Sequence, residues 1–417
     1  MKTLQITIEQ VIETGSITSA YQPIVDIDSG QVVAYEALAR GPLDTSLEHP
    51  DQLFAAAGAA GLTAELDWAC RASAVRGALE AGLGSAAKLF INVEPSTLRT
   101  PVPSELEKLM DMATSALSIV VEVTERSLVS DPAALIGALS WIRTAGMGVA
   151  IDDVGADPAS LALLPFIEPD VIKLDMSLVR QHTYDEIASI SGAVRADAER
   201  RAATILAEGI ETREHLDRAL VLGARLGQGW LFGRPGRLMP QPLNLDQNAD
   251  CVDNVIRFAS AQPLPVTPWA LVAESSQRRI TSKRLLMPMS HHIEQRALTG
   301  DPCVVLGAFQ SAVHFTPATS RRYERLAAQR SMVAAIGVDM AAHPALGVRG
   351  GSLAHGHPLA GEWTVTVIGP HDAAALIARD CGDQGPDRAR MFEYVITHDR
   401  ATVISAARSL MQYIDAD

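Results

Sequence analysis

Short apolar runs alternate with longer helix-like stretches through the first half of the chain. Before residue 235 we read eight such runs, at 21–27, 32–37, 88–93, 118–123, 148–151, 171–174, 204–207 and 226–232. Helix-like segments such as 132–144 and 183–201 separate the later runs. Strands that alternate with helices predict a parallel sheet. Eight strands over about 230 residues fit a (β/α)8 barrel of the TIM type, and a doubly wound open sheet is the alternative.

The first two apolar runs are joined by a very short connection, Asp28-Ser29-Gly30. Parallel strands need a crossover of a dozen or more residues, whereas a short turn joins antiparallel neighbours. We therefore expect the first strand to run antiparallel to the second, which is a departure from the regular barrel.

The pattern breaks after Arg234-Pro235-Gly236. We divide the chain into a barrel domain at 1–240, a linker at 241–253 and a smaller α/β domain at 254–417, because prolines and polar residues interrupt the periodicity. In the smaller domain we expect strands at 269–274, 303–309, 363–368 and 392–397. We expect helices at 320–334, 372–379 and 401–414, and a glycine-rich loop at 347–361.

Composition narrows the class of protein without deciding its function. The 417 residues are 47% hydrophobic and 20% charged, which is typical of a folded globular protein of more than one domain. The net charge of −14 argues against DNA binding, because nucleic-acid surfaces use clustered Lys and Arg. The apolar runs are too short for a membrane span, and the N-terminus lacks an apolar signal core, so we expect a cytoplasmic protein with its four scattered cysteines reduced.

Polar side chains gather where the apolar runs end. These residues are Glu36, Asn92, Glu122, Glu125, Asp152, Asp153, Lys173, Asp175, Glu208 and Glu211. The C-terminal ends of parallel barrel strands share one face, so residues far apart in sequence are expected to converge there.

So many carboxylates cannot share a small space without counter-charge. Either most of them are protonated or they hold hard cations. Oxygen ligands without a Cys or His cluster suit Mg²⁺ or Mn²⁺ rather than zinc. Two such ions can activate water in phosphodiester cleavage, and Lys173 supplies a further cation beside them.

These residues lie in motifs that resemble the EAL domain, the bacterial cyclic di-GMP phosphodiesterase family. The opening blocks are Tyr21-Gln22-Pro23-Ile24-Val25 and Tyr35-Glu36-Ala37-Leu38-Ala39-Arg40. The later blocks, in order, are Ile91-Asn92-Val93, Glu122-Val123-Thr124-Glu125, Asp152-Asp153, Val171-Ile172-Lys173-Leu174-Asp175, Ala207-Glu208-Gly209-Ile210-Glu211-Thr212 and Gly227-Gln228-Gly229-Trp230-Leu231-Phe232. The resemblance extends from Ser16 to about Pro235.

The resemblance implies a role for each matching position. It implies that the metal ligands are Glu36, Asn92, Glu122, Asp152 and Asp153, with Asp153 also joining the second metal and the attacking water. It implies that Lys173 contacts that water and the phosphate, and that Glu208 is a further ligand or positions water. The implied substrate contacts are Gln22, Leu38, Arg40 and Gln228, and Glu125 is implied to anchor a loop of the site.

The same resemblance implies hydrolysis of cyclic di-GMP to linear pGpG by a homodimer with two Mg²⁺ or Mn²⁺ ions per site. One segment departs from the family pattern, because Val154, Asp157 and Pro158 replace residues of the loop that couples metal binding to dimer contacts. We interpret this as altered regulation or dimerisation. A receptor that binds the dinucleotide without turnover, and an unrelated metal-dependent barrel hydrolase, are the alternatives; retention of all the ligands favours the enzyme.

The second domain carries no comparable set of polar residues. Its strand–helix order and the stretch Trp269 to Arg279 resemble the DICT-type, GAF-like sensory modules of bacterial signalling enzymes. That resemblance implies a domain that senses an unknown input and biases the barrel. A passive stabilising or dimerising domain is the alternative.

Overall fold

The computed structural model describes residues 6–84, 87–94, 97, 100–156, 161–180, 184–239, 255–298, 302–328 and 332–414, with the backbone alone at 125–127, 184–187 and 189. These residues pack into two compact units. The first comprises Met1–Glu125, Ala138–Ala156 and Glu168–Ala261, and the second comprises Arg126–Gly137, Asp157–Ile167 and Gln262–Asp417. The predicted linker at 241–253 lies outside the described residues.

The first unit is built on a closed barrel. Among the described residues its strands are β1 (Thr18–Asp26), β2 (Val32–Arg40), β3 (Lys88–Asn92), β4 (Ser118–Thr124), β5 (Gly148–Val154), β6 (Val171–Leu174), β7 (Thr204–Ala207) and β8 (Leu226–Gln228). Strand β1 pairs antiparallel with both β2 and β8, and β2 to β8 pair parallel in order. The predicted barrel with an antiparallel first strand is confirmed, and closure of the sheet excludes the open alternative.

Local capping signals mark the start or the end of several helices of the barrel sequence. They are α1 (Ile8–Glu13), α2 (Pro50–Ala60), α3 (Thr63–Glu80), α4 (Glu107–Ala116), α5 (Glu125–Ser130), α6 (Pro132–Thr144), α7 (Leu164–Ile167), α8 (Met176–Arg180), α9 (Tyr184–Arg201) and α10 (Arg213–Val221). Thr7 caps α1 in a reciprocal capping box with Gln10, and Thr212 accepts a hydrogen bond from the His215 amide to begin α10. Helix α2 has proline at its start and ends at Gly61, whose φ of 71° suits a left-handed C-cap.

A segment beyond the predicted linker closes the N-terminal end of the barrel. Val255 and Ile256 join a buried cluster in which Val33, Val171 and Leu226 are the first or second residues of their strands, and Phe258 packs against it. Thr204 Oγ1 donates to the Val255 carbonyl over 2.5 Å, and the Ala259 amide donates to Asp170 Oδ1 over 2.8 Å. These contacts leave the C-terminal end of the barrel as the face on which a site can form.

The second unit contains a mixed sheet whose strand order is β12-β11-β10-β13-β14-β15-β9. Its strands are β9 (Arg279–Ser282), β10 (Val304–Ser311), β11 (Met332–Val338), β12 (Arg349–Leu353), β13 (Glu362–Ile368), β14 (Ala373–Asp380) and β15 (Met391–Thr397). Its helices include α11 (Pro268–Val272), α12 (Lys283–Arg296), α13 (Pro317–Ala327) and α14 (Arg400–Met411). Strands β10, β11 and β12 pair parallel, and the other pairings are antiparallel. The predicted smaller α/β fold is confirmed.

Several element predictions for this unit were wrong. The predicted strand at 269–274 falls largely on α11, which begins at Pro268. The predicted helix at 372–379 is strand β14, whose alanines are buried between β13 and β15. The predicted helix at 320–334 ends with α13 at Ala327, and β11 follows at Met332. The predicted loop at 347–361 contains β12. An alanine-rich run has a sequence pattern typical of a helix, even where it forms a strand that neighbouring strands bury on both faces.

In the part of the chain that the structure describes, none of the helices combines the length and the apolar character that crossing a bilayer requires.

Candidate active site

One buried lysine lies among four carboxylates at the C-terminal end of the barrel. Lys173 of β6 places its Nζ 2.8 Å from Glu122 Oε1, 3.0 Å from Asp152 Oδ1, 2.8 Å from Glu208 Oε1 and 3.5 Å from Glu36 Oε1. The Lys173 side chain is 1% exposed. The carboxylates come from β2, β4, β5 and the residue after β7, as the strand-end argument predicts.

Strand register places these residues within two positions of one another along neighbouring strands. Asn92 of β3 is the register partner of Glu122, and Thr124 is the register partner of Asp152. Because β1 runs antiparallel, Gln22 lies opposite Glu36. The backbone therefore brings residues more than a hundred positions apart in the sequence close together.

Amide side chains orient the Glu36 carboxylate. Gln228 Nε2 donates to Glu36 Oε2 over 2.6 Å, and Asn92 Nδ2 donates to Glu36 Oε1 over 3.1 Å. Gln228 also donates to Gln22 Oε1 over 3.3 Å, and Gln22 donates to the Gly233 carbonyl over 3.2 Å. Four of the predicted positions thus form one hydrogen-bonded group that fixes the direction of a buried acid.

The charges of the site do not balance. Burial raises the pKa of Glu122 well above its usual range, with Glu36 adding to the effect, and burial raises the pKa of Glu208 to about 8. Burial would also raise the pKa of Glu36, but Lys173 and the amide hydrogen bonds outweigh it and leave that pKa lowered. The carboxylates hold the pKa of Lys173 well above its usual value despite its burial. One ammonium therefore faces more carboxylates than it can neutralise.

The donor set fits a hard divalent cation. Glu122 Oε2 is buried and receives no hydrogen bond from the described part of the chain. Asp152, Asp153 and Glu208 each offer an oxygen, and these oxygens lie within 4.8 Å of one another. Asp153 has a φ of 58°, in the left-handed region that costs most residues energy, at an irregularity in the β5–β6 pairing. Oxygen ligands at this density are those that Mg²⁺ and Mn²⁺ take.

The remaining predicted residues either follow Glu36 along β2 or have side chains outside the described residues. Glu36, Leu38 and Arg40 alternate along β2 and so share one face, with Arg40 the last residue of the strand. Arg40 Nη1 donates to the Ala39 carbonyl over 2.8 Å. Glu125 begins α5, and its side chain lies outside the described residues.

Two strand-end carboxylates do not join the cluster. Asp175 Oδ1 accepts a hydrogen bond from the Ser177 amide over 2.9 Å, at the start of α8. Glu211 pairs with Arg180 over 2.8 Å. Both follow strands as the cluster residues do, but local partners hold them.

Sequence reasoning missed a buried acid that supports the loop after Asn92. Asp67 of α3 accepts hydrogen bonds from the Glu94 amide over 3.2 Å and from Thr97 Oγ1 over 2.6 Å, and it pairs with Arg71. It is 2% exposed. A single acidic residue on the apolar face of a helix, between Leu66 and Trp68, was the signal that could have identified it.

Two family models match this chain. Residues 5–235 match the family model described as the EAL domain. Residues 270–380 match the DICT model, described as a sensory domain in diguanylate cyclases and two-component systems.

Several curated relatives carry an activity in their names. The cyclic di-GMP phosphodiesterase RocR of Pseudomonas aeruginosa is 31% identical over 241 residues, which are 56% of this chain and 60% of that protein. The probable cyclic di-GMP phosphodiesterase PdeB of Escherichia coli is 29% identical over 236 residues, covering 54% of this chain and 44% of the relative. The chain therefore spans less than two thirds of the length of these relatives.

Solved structures give matches over a similar share of the chain. Klebsiella pneumoniae BlrP1, in a complex with manganese and cyclic di-GMP at pH 9.0, is 35% identical over 53% of this chain and 56% of its own, with a TM-score of 0.47. The PaMucR phosphodiesterase in complex with cyclic di-GMP is 27% identical over 55% of this chain and 95% of its own, with a TM-score of 0.48.

Proposed function

The chain belongs to the EAL domain family, and on that premise we propose that its barrel hydrolyses cyclic di-GMP to linear pGpG with the help of two divalent cations, Mg²⁺ or Mn²⁺. The observation that carries the proposal is the meeting of four carboxylates around Lys173. The names of the curated relatives supply the substrate class.

The proposed cation ligands are Glu36, Asn92, Glu122, Asp152, Asp153 and Glu208. The buried Glu122 oxygen without a donor and the imbalance of charge support this assignment. When bound, divalent cations supply charge neutralisation and a more acidic water. Gln228 and Asn92 hold the Glu36 carboxylate in a fixed orientation, which lowers the cost of ordering a ligand.

Lys173 is proposed to stabilise the charge that grows on the phosphate during cleavage. Its ammonium is fixed by surrounding carboxylates, so little reorganisation is needed when the reaction begins. Arg40 is proposed to contact a phosphate oxygen, while Gln22, Leu38 and Gln228 contact the rest of the dinucleotide. Glu125 is proposed to anchor the loop that follows the fifth metal-bearing segment.

We further propose that the enzyme acts as a homodimer through its barrel and that the C-terminal unit senses an input that regulates turnover. The match of residues 270–380 to a sensory-domain model supports the second part. The departures at Val154, Asp157 and Pro158 follow the proposed ligands Asp152 and Asp153 in the sequence, with Asp157 and Pro158 outside the described residues. They are proposed to alter regulation or dimerisation rather than chemistry.

A turnover assay tests the proposal. The full chain is incubated with cyclic di-GMP and Mn²⁺ or Mg²⁺, with EDTA in a parallel sample, and with other cyclic dinucleotides to test base specificity. We expect pGpG only where cation is present. Tight binding of unchanged cyclic di-GMP would instead favour the receptor alternative, and neither binding nor turnover of any cyclic dinucleotide would overturn the proposal.

A further inference from the structure

The second compact unit includes two segments of the barrel sequence. Arg126–Gly137 and Asp157–Ile167 both belong to it, together with Gln262–Asp417. The first segment continues directly from β4, which carries Glu122, and the second follows β5, which carries Asp152 and Asp153. The chain that leaves each of these ligand-bearing strands therefore runs into the unit that contains the seven-stranded sheet of β9 to β15, here named the sensory sheet.

Arg349 binds the C-terminal end of α5, which lies in the first of these segments. It is the first residue of β12 and is 8% exposed. Its Nη1 donates to the Val129 carbonyl, and its Nη2 donates to the Ser130 carbonyl over 3.1 Å. Val129 and Ser130 are the last two residues of α5, whose terminal carbonyls lack intrahelical partners. A planar guanidinium can satisfy two such carbonyls at once and is favoured at a helix C-terminus.

The strand that presents Arg349 is held tightly. A Cβ at Gly350 would lie 1.7 Å from the Ala341 carbonyl oxygen, and one at Gly351 would lie 2.0 Å from the Tyr413 carbonyl oxygen. Arg349 is also the register partner of Ala334 in β11. The residues that follow Arg349 in β12 are therefore closely packed against neighbouring backbone.

The second segment is held by the same unit. Helix α7 forms the C-terminal end of this segment, and all four of its residues are buried. It lies against α14, the C-terminal helix of the unit. Described parts of both chain segments, α5 and α7, therefore pack within the unit that contains the sensory sheet.

We propose that Arg349 is a positioning residue that ties the sensory sheet to α5, so that a shift of β12 changes the cation affinity of the site that contains Glu122. The link runs along the chain from Ser130 through α5 to β4. Regulation requires an input that binds two arrangements of β12 with different affinity. The effect on cation affinity rests on the proposed function, whereas the restraint of α5 does not.

The test uses the full chain with Arg349→Ala and Arg349→Lys. Arg322→Ala is the control, because it removes a partly buried arginine of the same unit whose buried partner, Glu294, lies in α12 rather than α5. Amide hydrogen exchange is followed without metal in peptides that cover 123–137. Mn²⁺ affinity is then measured by calorimetry.

For Arg349→Ala we expect exchange in 123–137 to become roughly tenfold faster and Mn²⁺ binding to weaken several-fold. Arg349→Lys should recover part of both effects, since it keeps the charge but not the fork, and it provides the test if the alanine variant does not fold. Arg322→Ala should change neither. Unchanged exchange in 123–137 would overturn the restraint of α5. Faster exchange with wild-type Mn²⁺ affinity would overturn the link to the site. Absence of wild-type turnover would count against the proposed function alone, because exchange is measured independently.

Discussion

Lys173 Nζ lies 2.8 Å from Glu122 Oε1, and the two side chains are 1% and 0% exposed. A buried pair of this kind is normally balanced, but here three further carboxylates reach the same ammonium. Buried charges without compensation are costly, so the site must bind protons or cations. The contact between Lys173 of β6 and Glu122 of β4 therefore lies in a site that carries excess negative charge.

Replacing Lys173 by Met tests whether this ammonium serves the transition state. We expect kcat to fall by roughly 100-fold or more while affinity for cyclic di-GMP changes little, because the charge that Lys173 would stabilise develops mainly during cleavage. Steady-state kinetics and ligand binding give the two values.

Lys88→Met is the matched control for this substitution. Lys88 is also buried in a barrel strand, but it lies over the Phe258 ring, with its Nζ 4.7 Å from the ring centroid, at the closed end of the barrel. We expect Lys88→Met to lower thermal stability and to leave kcat near wild type. Equal losses of binding and kcat in Lys173→Met would contradict the role assigned to Lys173.

Replacing Glu36 by Gln tests the cation site. Gln keeps the size of the side chain but removes the charge that Gln228 and Asn92 orient. We expect Mn²⁺ affinity and turnover each to fall by roughly 100-fold, since a ligand carboxylate is lost. Calorimetry and product analysis provide the measurements. Glu211→Gln, which alters a nearby acid held by Arg180, should retain activity. A folded Glu36→Gln protein with wild-type Mn²⁺ affinity would refute the assignment.

The pKa of Glu208 predicts a pH dependence of cation binding. Burial raises this pKa to about 8, so the metal-free site holds a proton there at pH 7. A cation must displace that proton, so Mn²⁺ affinity should rise by up to roughly tenfold per pH unit as the pH approaches 8 and level off above it. Calorimetry in buffers of different ionisation enthalpy measures the proton release. Glu208→Gln should weaken the dependence but not remove it, because burial also raises the pKa of Glu122. A flat wild-type profile from pH 6.5 to 8.5 would contradict the prediction.

The same group affects the stability of the metal-free protein. Its folded-state pKa lies above the unfolded value, so the folded chain binds the proton more tightly. The stabilisation is fully present below the unfolded pKa and is lost as the pH rises through about 8. Both effects concern the Glu208 carboxylate. Its deprotonation at alkaline pH destabilises the metal-free folded chain, whereas cation binding to it stabilises the folded chain.

Most of the barrel and its site could be predicted from the sequence. Buried parallel strands read as short apolar runs, and the polar residues that follow them must share one face once the sheet closes. That argument placed Glu36, Glu122, Asp152, Lys173 and Glu208 together. It could not exclude Asp175 and Glu211, because only the structure shows that Ser177 and Arg180 hold them elsewhere.

The second unit was harder to predict because its strands lack a period of two. Strand β14 begins with three alanines and is buried on both faces, so tertiary contacts override a pattern that resembles a helix. Likewise, no local signal shows that Val255 and Ile256 close the barrel, since that contact depends on strands far earlier in the chain.

Gly229 links the backbone of β8 to the hydrogen-bonding group of the site. Its φ is 151°, and a Cβ there would lie 2.2 Å from the Ile210 carbonyl oxygen and 2.4 Å from the Ile210 nitrogen. The Ile210 nitrogen donates to the Gln228 carbonyl over 3.0 Å. If the backbone at Gly229 moved away from Ile210 to make room for a Cβ, this hydrogen bond would be lost. Any displacement would carry Gln228 away from Glu36.

Gly229→Ala should therefore lower the free energy of unfolding by about 2 kcal/mol or more and reduce turnover beyond what the loss of folded protein explains. Gly192→Ala is the control, because Gly192 is exposed on α9 with nothing within 4 Å of an added Cβ. Alanine favours the helix there, so that variant should gain about 0.5–1 kcal/mol and keep its activity. Denaturant unfolding and kcat, measured side by side, separate the two sites. Wild-type stability and kcat in Gly229→Ala would show that the backbone after β8 can accommodate a Cβ without moving Gln228. Gly229 would then not be needed to orient Glu36.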